Sequence, residues 1–181
     1  MNILWMTSLR PIGKSNENDK IQELFIKSLE SYNKNITLSL TQFDDEGVRE
    51  YVDKKNINKF YVNFPSNKLP LGTKYSNKIM LSNSLDQYLN NNFEYLVYST
   101  ADILLPNNLL DGIDSIKQEL GENKEFCSLV YPNILKKNGY IKSLTTPHYG
   151  IDIFIFRLKK QSILKFQESI KSWEQYDWGI N

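Results

Sequence analysis

"YLVYSTADILLP", residues 95–106, is the stretch on which the fold turns. An apolar, β-prone run stops at Ser99, Thr100, Ala101 and Asp102, then resumes as Ile103, Leu104 and Leu105 before Pro106. A short apolar run bounded by turn signals reads as a buried strand. An ionised carboxylate at the end of such a strand is tolerated where it stays wet, accepts backbone N–H bonds or meets a cation. Asp102 is therefore either a turn cap ahead of Pro106 or a ligand-facing acid.

Working outward, the chain supplies more strands of the same kind. "NILWMTS", residues 2–8, is an apolar run followed by the polar loop "LRPIGKSNEN". "ITLSLTQF", residues 36–43, alternates Ile36, Leu38 and Leu40 against Thr37, Ser39 and Thr41, which is the period of a strand. "KFYVNF" (59–64), "EFCSLVYP" (125–132) and "YGIDIFIFR" (149–157) complete six.

Between them the apolar period lengthens to that of helices. Ile21, Leu24, Phe25, Leu29 and Tyr32 share a face, with Asn18 or Ser15 as the cap. "FDDEGVREYVDKKN" opens a short helix with Asp44, Asp45 and Glu46 near its positive end. Ile79, Met80, Leu81, Leu85 and Leu89 mark a helix from about Lys74. Leu109, Leu110, Ile113, Ile116 and Leu120 mark another, stopped at Gly121, and Ile163, Phe166, Ile170 and Trp173 mark a closing one. Alternating strands and helices predict an α/β sandwich whose parallel strands carry ligands at their C-terminal ends.

Composition bounds the rest. At 181 residues the chain suits one domain, since domains run about 100 to 200 residues. A hydrophobic share of 40% supports a packed core. Lys plus Arg number 22 against 21 acids, so no basic excess points to nucleic acid or an anionic membrane. The single cysteine, Cys127, excludes an internal disulfide and is expected to be a small buried core residue. The apolar part of the N-terminus is too short for a secretory h-region and no run of about 18 apolar residues occurs, so no membrane span is expected; the lone thiol points to a reducing cytoplasm.

The order of parts around Asp102 resembles the core of GT-A-fold, nucleotide-sugar-dependent glycosyltransferases, of the family 2 kind. In "TKYSNKIMLSNSLDQYLNNNFEYLVYSTADILLP", Lys74 and Asn77 match the family's helix opening. Thr100, Ala101 and Asp102 match its Asp-x-Asp motif, with Thr100 in place of the first acid. The resemblance implies a three-layer, Rossmann-like sandwich over residues 1–181, with a mixed, mostly parallel central sheet. It implies transfer of a sugar from a nucleotide-sugar donor to a glycan or polysaccharide hydroxyl.

In that family the acids hold Mn²⁺ or Mg²⁺ against the donor's diphosphate. With one carboxylate left, Asp102 implies poor metal affinity in the absence of donor, or metal independence. Thr7, Arg10, Asp44, Asp45, Lys74, Asn77, Thr100 and Asp102 are the implied donor-binding residues. His148, the lone histidine, is an implied second metal ligand beside Asp102, against the ordinary reading of a structural histidine.

"TTPHYGIDIFIFRLKKQSIL" (145–164) resembles the family's acceptor-side segment, which makes Asp152 a general base or a hydroxyl acceptor. "YDWGIN" (176–181) resembles the segment carrying the base of inverting members; Trp178 and Gly179 match, but Asn181 stands where an acid is expected. Either the sequence stops short of that base, or Asp177 or Asp152 substitutes. Tyr98, Tyr149, Trp173 and Trp178 offer flat faces for sugar rings.

Two rivals remain open. Thr100 and Asn181 speak for a non-catalytic binding or docking module that keeps only the fold. A nucleotidyltransferase shares the α/β plan, but "SLRPIGKSNEN" has a single glycine where a Gly-rich phosphate loop would lie.

Overall fold

A computed structural model describes residues 1–43, 47–64, 77–121, 124–130 and 153–172. The elements run β1 (Ile3–Thr7), α1 (Asn16–Glu30), β2 (Ile36–Phe43), α2 (Val48–Asp53), β3 (Asn58–Phe64), α3 (Asn77–Asn90), β4 (Tyr95–Ser99), α4 (Leu109–Leu120), β5 (Phe126–Val130), β6 (Ile153–Arg157) and α5 (Lys160–Ser172). They build one six-stranded sheet in the order β3-β2-β1-β4-β6-β5. β3, β2, β1 and β4 are mutually parallel, and β6 runs antiparallel to both β4 and β5. The expected mixed, mostly parallel α/β sandwich is the one observed.

Strand parity divides the core into two layers. On β1, Ile3 and Trp5 join Phe25, Ile26, Leu38, Val52, Val97 and Ile113 on the face covered by α1, α2 and α4. Leu4 and Met6, one residue out of phase, join Leu85, Tyr88, Leu96 and Ile163 on the face covered by α3 and α5. A central strand greasy on both faces therefore reads as a continuous apolar run, as "ILWMT" does.

Two sequence expectations change in the structure, for α1 and Cys127, and Ser39 is buried despite its polarity. The buried side of α1 is Gln22, Phe25, Ile26 and Leu29, while Leu24 is 51% exposed. Ser39, on the polar register of β2, does not face water; it is fully buried under α3 and hydrogen-bonded to Ser84 Oγ at 2.9 Å. Cys127 is exposed rather than buried, because β5 is an edge strand and this residue alternates with the buried Phe126.

An ion cluster ties the N-terminal end of β4 to α4 and β6. Glu94 lies 3.0 Å from Lys117 Nζ and 3.6 Å from Arg157 Nη2. Burial pushes the Glu94 carboxyl up, but the hydrogen bond and charge of Lys117, with Arg157, outweigh it and hold the group below its ordinary 4.5. A depressed pKa contributes stability above the unfolded value and loses it as pH falls through the folded one. The melting temperature should accordingly drop with acidification below about pH 4.5, and less steeply in Glu94→Gln. The contribution is small, because the partners keep 20–31% side-chain exposure.

Candidate functional site

The chain leaves β1 to build β2 and β3 on one side, then returns past β1 to enter β4 on the other. Loops after β1 and β4 therefore diverge at the C-terminal edge of the sheet, where open α/β folds bind ligands. A pocket of about 470 Å³ lies there. Its walls are the loop after β1, the first turns of α1, and the end of β4 with the loop that follows.

The sheet edge beneath it is stitched across β1 and β4. Thr7 Oγ1 donates to Ser99 O at 2.8 Å, and Trp5 Nε1 donates to Ser99 Oγ at 2.8 Å. Ser99 Oγ in turn donates to Thr100 O at 2.9 Å. Thr7 is fully buried and stands outside the pocket lining, so in this structure its hydroxyl joins strands rather than meeting a ligand.

The apolar residues after Asp102 anchor its loop. Ile103 and Leu105 are 6% and 7% exposed and join the α1-side core, whereas Asp102 and Leu104 face outward. Leu105 N donates to Ser28 Oγ of α1 at 3.4 Å, and Tyr32 Oη donates to Pro106 O. Alternation thus continues past the strand end, and every second side chain holds the loop down. Asp102 is exposed on the pocket wall, beside half-buried Thr100, Ala101 and Tyr98. Where the resemblance expects the first acid, Thr100 carries no charge, and its Oγ1 is buried with no hydrogen-bond partner among the described residues.

The opposite wall is basic. Arg10 and Lys14 line the pocket, and neither is in an ion pair with a carboxylate among the described residues. Arg10 Nη1 donates to Asn18 Oδ1 at 2.8 Å. The backbone behind it is clamped by Gln22, whose Oε1 accepts from Arg10 N and whose Nε2 donates to Arg10 O at 3.4 Å. Gly13, at φ +79°, turns the chain into α1, with its N–H on Asp19 Oδ2 at 3.0 Å. Ser15 caps the helix, accepting from Asn18 N at 3.5 Å.

Gln22 is only 3% exposed, so removing its amide leaves two loop backbone groups without partners. Gln22→Ala is expected to destabilise the chain by about 1–3 kcal/mol, the cost of orphaning buried polar groups. Gln22→Glu should cost at least as much, because it keeps the acceptor for Arg10 N but buries a carboxylate and sets an oxygen against Arg10 O. Urea unfolding of both variants checks this.

Of the sequence-derived site residues, the structure brings Arg10, Thr100 and Asp102 to one pocket. Asn77 is the first residue of α3. Asp44, Asp45, Lys74, His148, Asp152 and Asp177 lie outside the described residues, as do Tyr149, Trp173 and Trp178. Lys14 and Gln22 were not singled out from the sequence. The signal for Gln22 was its spacing of three, four and seven from Phe25, Ile26 and Leu29; for Lys14 it was position, in the loop after the first strand.

No protein-family model matches the chain, and no curated protein sequence does. Among solved structures, a cytidylyltransferase from Leptospira borgpetersenii superposes with a TM-score of 0.51 at 16% identity, over 97% of this chain and 65% of that one. A protein described as a nucleotide-diphospho-sugar transferase, from Desulfovibrio desulfuricans, superposes with a TM-score of 0.50 at 10% identity, over 99% and 71%. The chain thus spans just under two thirds of the first of these. No helix among the described residues is long and apolar enough to cross a membrane. What these likenesses establish is architecture: the chain has a GT-A-like α/β fold.

Proposed function

We propose that the chain is a glycosyltransferase that moves a sugar from a nucleotide-sugar donor to a hydroxyl of a glycan or polysaccharide. The observation that carries this reading is Asp102, exposed on the wall of the pocket at the β1–β4 crossing, with two cations on the facing wall. Donor binding falls to Arg10, Thr100 and Asp102 together with Asp44, Asp45, Lys74 and Asn77, with Asp152 or Asp177 as the base. We place the reaction in the cytoplasm, where Cys127 stays reduced.

The chemistry has two requirements. Charge building on the departing diphosphate must be met by cations aimed at it. A proton must leave an acceptor hydroxyl of high pKa, which needs a carboxylate within hydrogen-bond reach. Asp102, at the diphosphate end, is assigned to orientation of the donor rather than to proton removal.

A second reading, nucleotidyl transfer to a sugar phosphate, is favoured by the basic loop directly after β1, in which Arg10 and Lys14 face the pocket. It agrees with the description of the Leptospira protein that shares the fold as a cytidylyltransferase. The two readings part on product. UDP-, GDP- and CMP-sugars and the nucleoside triphosphates would each be added with Mn²⁺, and melting temperature, free sugar and pyrophosphate followed. Stabilisation by a nucleotide sugar with slow release of free sugar is expected. Pyrophosphate release from a triphosphate and a sugar phosphate would favour the second reading, and no shift with any nucleotide would leave a docking module.

A further inference from the structure

The charges around the pocket do not match those of a divalent-ion site. Its lining carries one carboxylate, Asp102, and two cations, Arg10 and Lys14. Thr100 holds the place of a second acid, and no three His, Cys, Asp or Glu side chains group as metal ligands among the described residues. Mg²⁺ and Mn²⁺ favour several hard oxygen ligands, carboxylates foremost. A doubly charged ion beside Asp102 would share a small cavity with two like charges, which disfavours it. The described residues therefore do not fit a divalent ion, whereas they do fit the diphosphate itself.

We propose that the diphosphate of the nucleotide is held by Arg10 and Lys14, so that nucleotide binding needs no divalent ion. This rests on the reading of the pocket as a nucleotide-diphosphate site. Arg10 is suited to the task because its position is set before any ligand arrives. Gln22 clamps its backbone on both sides and Asn18 orients its guanidinium. A planar, preorganised fork of N–H donors meets phosphate oxygens with little ordering cost. Lys14, one residue before the helix cap at Ser15, adds a point charge beside the positive end of α1. Asp102, freed from holding a metal, is left to accept from a hydroxyl of the donor.

The proposal predicts opposite behaviour for the two walls. Titration calorimetry of the full chain would use UDP, GDP, CDP and inorganic pyrophosphate, each in EDTA and again in Mn²⁺. At least one nucleoside diphosphate is expected to bind in EDTA with a Kd within about threefold of that in Mn²⁺, because the metal adds no essential contact. Arg10→Ala and Lys14→Ala should each weaken binding in EDTA about tenfold or more, the worth of a charge-assisted hydrogen bond, whereas Lys14→Arg keeps it. Both side chains are exposed, so these variants should melt with the parent. Asp102→Asn should weaken binding in EDTA less than either, since it removes an anion beside a polyanion.

Binding that appears only with Mn²⁺ and disappears in Asp102→Asn would overturn the proposal while leaving the nucleotide reading intact. Failure of every nucleotide under both conditions would sink the nucleotide reading instead, and this inference with it.

Discussion

Trp5→Ala is expected to cost about 3–5 kcal/mol, the range for deleting a large buried aromatic. Small domains have only about 5–15 kcal/mol to lose, so the variant should unfold at low denaturant. Trp5 is fully buried at the centre of the sheet, paired with Leu38 of β2 and Val97 of β4. Alanine removes its ring from the α1-side core and removes the donor that Ser99 Oγ accepts. Trp5→Phe separates the two effects: it keeps most of the packing and forfeits the hydrogen bond, for about 1–3 kcal/mol. Urea denaturation of both variants checks the partition. A Trp5→Ala cost under about 1 kcal/mol, the range of surface changes, would show that this residue does not hold the sheet to α1.

The same substitution reaches the pocket. Ser99 links Trp5 to Thr100 through successive hydrogen bonds, so a loosened Ser99 loosens the wall that carries Asp102. On the glycosyl-transfer reading, turnover by Trp5→Phe should fall even at temperatures where the chain remains folded, with nucleoside diphosphate affinity little changed.

On the glycosyl-transfer reading, Asp102→Ala is expected to lower turnover about 100-fold, the scale at which a lost positioning contact misplaces a reacting group. Melting temperature should hold, since the side chain is exposed and its loop is anchored by Ile103 and Leu105. With the diphosphate carried by Arg10 and Lys14, nucleoside diphosphate affinity should change only a few-fold, so the loss falls on kcat rather than on binding. Steady-state kinetics beside calorimetry distinguish this from a metal-ligand role, in which both would collapse together. Turnover equal to the parent would remove Asp102 from the reaction.

Much of the fold was legible because burial on two faces leaves a plain mark. "ILWMT" and "YLVYS" are short apolar runs with no helical spacing, and both are central strands. The helix over Leu109–Leu120 follows its apolar spacing to Gly121, where φ is +100°. α1 was legible in extent but not in rotation. Its sequence offers Leu24 and Ile21 as core candidates, yet the helix turns Gln22 inward, because that amide satisfies the Arg10 backbone which no apolar residue could serve. Helical spacing from Phe25, Ile26 and Leu29 allows Gln22 on the buried face, but only the hydrogen bonds to Arg10 explain a polar residue there.

The site was half legible. Asp102 stood out as a charge in an apolar neighbourhood, and Arg10 lay in the loop after the first strand. Lys14 resembled any solvated lysine until β1 and β4 were side by side. Ser39 and Cys127 show the same gap from the other direction: a strand's alternation says which residues share a face, and the neighbouring layer decides whether that face is wet.

By itself, then, the sequence determined the strands, the helices and the outward alternation of Asp102 between anchored Ile103 and its strand, because these follow from local period and apolar content. The order β3-β2-β1-β4-β6-β5 is a tertiary matter, as is the meeting of Arg10 and Lys14 with Asp102 across 88 or more positions of chain. Residues that distant in sequence come to one pocket when β1 and β4 pair, and nothing in the local spacing of either loop encodes the charge that will share it.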